Sequence, residues 1–219
     1  MHLIETLNSC RTPYPLLGAS SKGRPFVLDL SDKNAVLKTF DLSDQRKFQK
    51  WVEKQFGRRF KWGISNYLEY RSLLLGHSDG PGKENRFYHL GIDIIVHLYQ
   101  KLHLPIEGTV VEVGHEPGEG TFGGYAVIRH GDRTERFYTL YAHLSLEYLP
   151  TKGKRYDKGS VFARVGDFEE NGNWFHHTHV QVLTQKAYAE GYQHIGYCNL
   201  EILKEIQSYC PNPCFVLRY

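Results

Sequence analysis

The sequence predicts a mainly β protein, an antiparallel β-sandwich or barrel core preceded by a partly helical N-terminal extension. Three observations predict it. Between His89 and Leu183, short β-branched and aromatic runs recur, separated by Gly-rich or polar turns. Strand and helix patterns do not alternate, and no GxGxxG or Walker-type loop follows a strand, which disfavours nucleotide-binding folds. Before residue 60 the texture differs, with turn formers first and helical spacing after them. A chain of 219 residues accommodates one large domain, or one domain with an extension. At that size it buries roughly 70% of its unfolded surface and needs no disulfides to hold a core.

Taken in order, residues 1–25 hold Pro13, Pro15, Gly18, Gly23 and Pro25 and read as an extended lead-in. Phe26 to Leu30 reads as a short strand. Ser43-Asp44 offers an N-cap, and Phe48, Trp51, Val52 and Phe56 follow at spacings of three and four, which predicts a helix over about 43–56 stopped by Gly57. With Phe60 they give an apolar face expected to pack on the core and to wall one side of a groove. A second helical or irregular piece is expected over Tyr67–Leu75, ending in a Gly76–Gly82 loop. Strands are expected at Gly108–Val113, Gly124–Arg129, Arg136–Leu144, Ser160–Val165 and His177–Leu183, and one further helix around Asn199–Ser208. The expected organisation is an extension over 1–60, a β domain over 61–185 and a C-terminal segment over 186–219.

Composition excludes some functions. The formal net charge is +3, with 27 Lys+Arg and 24 Asp+Glu interspersed, so there is no basic footprint for nucleic acid. No run approaches ~18 apolar residues, so no membrane-spanning helix is expected. The first 20 residues lack a basic start and a continuous apolar stretch, which predicts a cytoplasmic protein with reduced cysteines, Cys210 and Cys214 included. The four cysteines do not form paired CxxC motifs, which argues against a zinc ribbon. The 12 histidines and 14% aromatic residues point instead toward metal chemistry and an aromatic-lined groove.

Three motifs stand apart in the sequence: His89-Leu-Gly-Ile-Asp93, Tyr141-Ala-His143-Leu-Ser145 and His176-His177-Thr178-His179. On extended chain, residues 89, 91 and 93 share one side. His177, His179 and Gln181 likewise share one face, while Val180 and Val182 turn to the other. The apolar set then faces a core and the polar set a cleft. Imidazole and carboxylate are ligands that zinc accepts, and three protein ligands with an open fourth position is a catalytic pattern. Each motif alone is weak, and the remaining histidines read as ordinary surface or core residues. Their joint occurrence on expected strands is specific.

The constellation HLGID…YAHLS…HTH resembles the LytM/lysostaphin-type zinc metallopeptidases, over roughly residues 87–184. A Gly-Thr-Val-Val strand after the first motif and Asn171-Gly-Asn-Trp174 before the last fit that resemblance. So does Trp62-Gly63…Tyr67-Leu-Glu69-Tyr-Arg71, which resembles a subgroup of such modules. The resemblance implies His89, Asp93 and His179 as ligands of one zinc per chain, and His143 and His177 as unliganded catalytic histidines. Ala142 stands where the family usually has Gly, and Thr178 where an apolar residue is commoner; neither change touches a ligand atom. His176 is expected to face solvent.

The implied activity is a zinc metalloendopeptidase hydrolysing peptide bonds, by resemblance those of peptidoglycan, through a zinc-activated water assisted by the two histidines. No HExxH supplies a glutamate base, and no GxSxG elbow suggests a serine hydrolase. Because peptidoglycan lies outside the cytoplasm, two alternatives stay open: a cytoplasmic metal-dependent amide hydrolase of another substrate, and a non-catalytic binding scaffold.

Overall fold

A computed structural model describes residues 12–56, 61–75 and 85–217. Strands β1 (Phe26–Val27), β2 (Gly63–Ile64), β4 (Ile92–Ile95), β6 (Gly108–Glu116), β7 (Gly123–His130), β8 (Phe137–Leu144), β9 (Arg155–Tyr156) and β11 (His177–Thr184) form one eight-stranded sheet in the order β1-β2-β4-β11-β8-β7-β6-β9. Two small sheets accompany it: β5 (Lys101–His103) with β10 (Val161–Arg164), and β3 (Tyr88–His89) with β12 (Tyr197–Cys198). The mainly β expectation holds. All pairings are antiparallel except that of β1 with β2, because the N-terminal extension adds its strand to the sheet edge in the parallel sense.

Both faces of the central strands are covered, so β7, β8 and β11 are buried along nearly their whole length rather than at alternate positions only. Ala126, Ile128, Tyr141, Val180 and Val182 share one buried cluster, and Tyr125, Val127, Leu140, Ala142 and Leu183 share the cluster on the opposite face. The odd-numbered side chains of β11 thus point away from Val180 and Val182. His177, His179 and Gln181 continue the face that Leu183 occupies.

Helix α1 (Gln45–Gln55) forms where helical spacing places it. Asp44 caps it, its carboxylate accepting from the Lys47 N–H at 3.0 Å. The buried stripe is Gln45, Phe48, Gln49 and Val52. Phe48 packs edge-on against Phe175 at 5.3 Å, in a cluster with Trp174 and Leu74. Burying Phe48 and Val52 stabilises the docking by roughly 1.5–3 kcal/mol each. The side-chain oxygens of both glutamines accept from backbone: Gln45 Oε1 from Phe175 N (3.2 Å) and Gln49 Oε1 from His176 N (2.7 Å). A helix of the N-terminal extension therefore splints the chain just ahead of His177. Phe60, Gly57 and the Gly76–Gly82 loop lie outside the described residues.

Helix α2 (Ser72–Leu75) occupies the end of the expected Tyr67–Leu75 piece. The C-terminal helix is not where the sequence places it. Residues 200–205 are turns followed by a short 3-10 turn at Ile206–Ser208, and the α-helix here is α3 (Gln185–Ala189), capped by Thr184. Among the described residues no helix is long and apolar enough to cross a membrane.

Candidate metal centre and cleft

The three motifs meet at one place. His89 ends β3, Asp93 lies on β4 directly opposite His179 on β11, and His143 lies near the end of β8, the strand on the other side of β11. All four, with His177, are buried. His89 Nε2 lies 2.8 Å from His179 Nδ1 and 3.2 Å from Asp93 Oδ1, and His179 Nδ1 lies 3.4 Å from the same oxygen. These residues are a group that could hold a metal ion.

Three of the four imidazoles, those of His143, His177 and His179, are oriented by the nitrogen they turn away from the centre. His179 Nε2–H donates to Gln181 Oε1 (3.1 Å), which leaves Nδ1 bare toward Asp93. Gln181 is itself fixed, its amide nitrogen donating to Tyr192 O and the Cys210 sulfur. His143 Nδ1–H donates to Asn171 O and His177 Nδ1–H to Phe175 O, each at 2.7 Å, so both present a bare Nε2. His177 Nε2 lies 3.7 Å from Asp93 Oδ1, and its ring centroid lies 4.3 Å from that of His143. Among the described residues, buried His89 Nδ1 has no hydrogen-bond partner.

The residues fit a divalent metal on the chemistry of the donor set. Two ring nitrogens pointing at one another across 2.8 Å, with a carboxylate oxygen beside both, is a convergence of lone pairs that a cation relieves. Two imidazoles and one carboxylate are also too few ligands to close a tetrahedral zinc site, which leaves a position for water or substrate.

The charge states suit that use. Burial disfavours charge on His89 and, with the Arg71 guanidinium nearby, pushes its pKa down to about 3. Burial likewise lowers His177 to about 4 and holds His143 well below the ordinary imidazole value. Burial alone would raise the Asp93 carboxyl, but the neighbouring His89 and Arg71 overcome it and keep Asp93 well below the usual carboxylate range. At neutral pH the Asp93 carboxylate is therefore charged while His89, His143 and His177 are neutral.

Tight approach is built in at Gly91. A Cβ there would lie 2.5 Å from His179 Cε1 and 2.6 Å from Val180 O. His143 itself has φ +62°, a left-handed conformation unusual for a residue with a side chain. It is held there by His143 N–H donating to Phe122 O and Gly166 N–H donating to His143 O, each at 2.9 Å. The centre opens into a cleft of about 560 Å³ whose walls include Phe87, Phe122, Trp174 and Tyr197.

His176 differs from expectation. It is 7% exposed: its ring packs on Phe168 at 4.9 Å, its Nε2 reaches Asp167 Oδ1 (3.3 Å) outside the centre, and its backbone N–H donates to Gln49 of α1. Four residues that sequence reasoning gave no role prove central: Asn171 and Gln181, which orient imidazoles, and Ser65 and Arg71, which bond Asp93 Oδ2 at 3.0 and 2.7 Å. The Glu69-Tyr70-Arg71 and Asn171-Gly-Asn-Trp174 stretches carried a signal, and the alternation of β11 placed Gln181 on the cleft face; Ser65 carried none.

Residues 87–191, just under half the chain, match the family described as Peptidase family M23. No curated protein matches the chain. Among solved structures, it is similar to a zinc containing peptidase from Vibrio cholerae (26% identity, 48% of this chain and 30% of that one, TM-score 0.38). It is similar also to the catalytic domain of lysostaphin from Staphylococcus simulans (15% identity, 73% and 97%, TM-score 0.44). A third is the catalytic domain of the prophage-encoded M23 protein EnpA from Enterococcus faecalis (19% identity, 66% and 91%, TM-score 0.41). The chain thus spans about 30% of the length of the Vibrio protein.

Proposed function

Taking residues 87–191 as a LytM/lysostaphin-type module of peptidase family M23, we propose that this chain is a zinc-dependent peptidase. It would hydrolyse peptide links of the peptidoglycan class. One observation carries the reading. His89 Nε2, Asp93 Oδ1 and His179 Nδ1 converge on a common point, while the bare Nε2 atoms of two other histidines adjoin it.

His89, Asp93 and His179 would hold the zinc, one per chain. When bound, the metal supplies Lewis acidity, acidifying a water toward pKa ~7 and polarising the scissile carbonyl. The protein supplies the rest. His143 and His177, neutral at pH 7 and locked through Nδ1 to backbone carbonyls, offer acceptors at Nε2. One of the pair takes the proton of the attacking water, becomes an imidazolium, and returns that proton to the leaving amine. Its neighbour, ring against ring, limits how the imidazolium can turn. Phe87, Phe122, Trp174 and Tyr197 line the cleft and would give a peptide apolar surface to lie on.

The test is metal analysis of purified protein combined with digestion of crosslinked muropeptides, intact cell wall and soluble peptides. About one zinc per chain with cleavage of the muropeptide links supports the reading. Zinc with cleavage of soluble peptides only keeps the metallopeptidase and removes the peptidoglycan substrate. Zinc without any hydrolysis leaves a binding scaffold, and no zinc uptake at all overturns the proposal.

A further inference from the structure

The bulkiest fully buried side chain among the described residues is a cation. Arg71, 1% exposed, sits on the Asp93 side of the cleft. Its Nη1 donates to Asp93 Oδ2 at 2.7 Å, and its Nε and Nη2 both donate to Glu69 Oε2, at 3.1 and 2.9 Å. Ser65 adds a second donor to Asp93 Oδ2, its Oγ standing 3.0 Å away, and accepts from the Asp93 backbone N–H at 2.9 Å. Glu69 is pinned in turn by Asn66 Nδ2 at 2.8 Å.

The two oxygens of Asp93 therefore have separate occupations. Oδ2 takes two donors from the segment 65–71. Oδ1 alone faces the imidazoles, at 3.2 Å from His89, 3.4 Å from His179 and 3.7 Å from His177. Stability does not explain the arrangement, since well-packed apolar residues usually replace a buried ion pair at no loss. A fixed positive charge beside a cation site also lowers that site's affinity by simple repulsion. What the guanidinium offers in return is orientation. A carboxylate free to turn would chelate a metal through both oxygens and fill the position that a catalytic site must keep open.

We propose that Arg71, backed by Ser65 and Glu69, is a positioning residue that confines Asp93 to ligation through one oxygen. The inference rests on the ligand set given under the proposed function. Arg71 acts through Asp93, to whose Oδ2 it donates, rather than as a ligand.

Cobalt(II) is the probe, because the intensity of its visible bands falls as coordination number rises. Metal-stripped full-length protein is titrated with cobalt(II), and affinity is measured by competition with a chelator of known strength. The variants are Arg71→Met, Arg71→Lys and Ser65→Ala, with unfolding followed on the same samples by circular dichroism. The wild type should show the intense bands of a four-coordinate ion. Arg71→Met, folded, should lose several-fold in band intensity and change metal affinity by ~10–100-fold, as removal of an outer partner usually does. Arg71→Lys keeps one donor for Oδ2 and should recover part of the intensity, and Ser65→Ala should show a smaller loss of the same kind. A folded Arg71→Met with wild-type spectrum and affinity overturns the proposal. If Arg71→Met does not fold, Arg71→Lys and Ser65→Ala decide, and wild-type behaviour in both overturns it. A wild type that takes up neither cobalt nor zinc overturns the ligand set itself, an outcome distinct from failure of Arg71 alone.

Discussion

Thr178 donates its hydroxyl to the carbonyl of Ala142 at 2.9 Å. The bond crosses from β11 to β8 beside the pair in which His179 stands opposite Ala142. These are the two positions at which the sequence departs from the pattern of the peptidases it resembles, and they belong to one contact. The hydroxyl and the carbonyl that receives it are both buried.

Thr178→Val keeps the volume and removes the bond, leaving a buried carbonyl with one partner fewer. Unfolding in urea should show a loss of about 1 kcal/mol with unchanged slope and unchanged zinc content. A loss well below ~0.5 kcal/mol would mean the bond adds nothing to the ladder around it.

Gly91→Ala is expected to do more harm than its single methyl suggests. The new carbon would meet the His179 ring at 2.5 Å and the Val180 carbonyl at 2.6 Å, and the second of these is backbone. Strand β4 must then move from β11, which separates Asp93 from His179. Overpacking of this kind costs roughly 1–3 kcal/mol. Zinc uptake, measured by elemental analysis, should fall along with stability. Full metal content in a destabilised Gly91→Ala protein would show that the ligands tolerate the shift.

The sheet and the meeting of the three motifs were legible because period-two patterning is local. In β11 the residues at 177, 179 and 181 differ in kind from those at 180 and 182, and that contrast alone assigns the faces. Contacts made across long separations were not legible. Arg71 and Asp93 are 22 residues apart and share no periodic pattern. Asn171 acts on His143 through its backbone carbonyl, which any residue type possesses. His176 was expected to face solvent from its place in the alternation, but its backbone N–H donates to Gln49 of α1, 127 residues earlier, and its ring packs on Phe168. Leu200, Leu203 and Ile206 have helical spacing, yet Leu200 is 66% exposed and only Ile206 is fully buried, so no packing supports a helix there.

A histidine far from the centre should govern part of the acid stability. His130 is 1% exposed. Its Nδ1–H donates to Glu107 O at 3.0 Å and its Nε2 accepts from Thr139 Oγ1 at 2.7 Å, so the fold wants it neutral. Burial lowers its pKa to about 4, from the ordinary imidazole value of 6.5. Below pH 6.5 the unfolded chain binds a proton that the folded chain refuses, so stability present above 6.5 is lost as pH falls toward 4. The full loss from this one group is on the order of 3 kcal/mol. His130→Gln keeps a donor and an acceptor without titrating. It should flatten the decline between pH 6.5 and 4 relative to wild type, as read by urea unfolding at several pH values. Parallel curves for the two proteins would place the acid sensitivity elsewhere.

Ligands and proton carriers should separate on substitution. His179→Ala deletes the ring nitrogen facing Asp93 and His89, so metal affinity and hydrolysis should both collapse. Asp93→Ala should do the same, and it also strands Arg71 without its partner at 2.7 Å, so some loss of stability accompanies it. His143→Ala removes only a group held by Asn171 O and facing the centre. It should keep about one zinc per chain while turnover falls by ~10² to 10⁴, the usual worth of a positioned acid–base group. His177→Ala should retain metal too, because its ring is stacked on Phe175 and its Nε2 stands off at 3.7 Å from Asp93 Oδ1, but the start of β11 loses a contact. Metal content and rate must be measured on the same preparations. If His143→Ala loses its zinc while His179→Ala keeps it, the roles are reversed and the ligand set is wrong. If all four bind metal and none changes the rate on any amide substrate, the centre holds a metal without using it for hydrolysis.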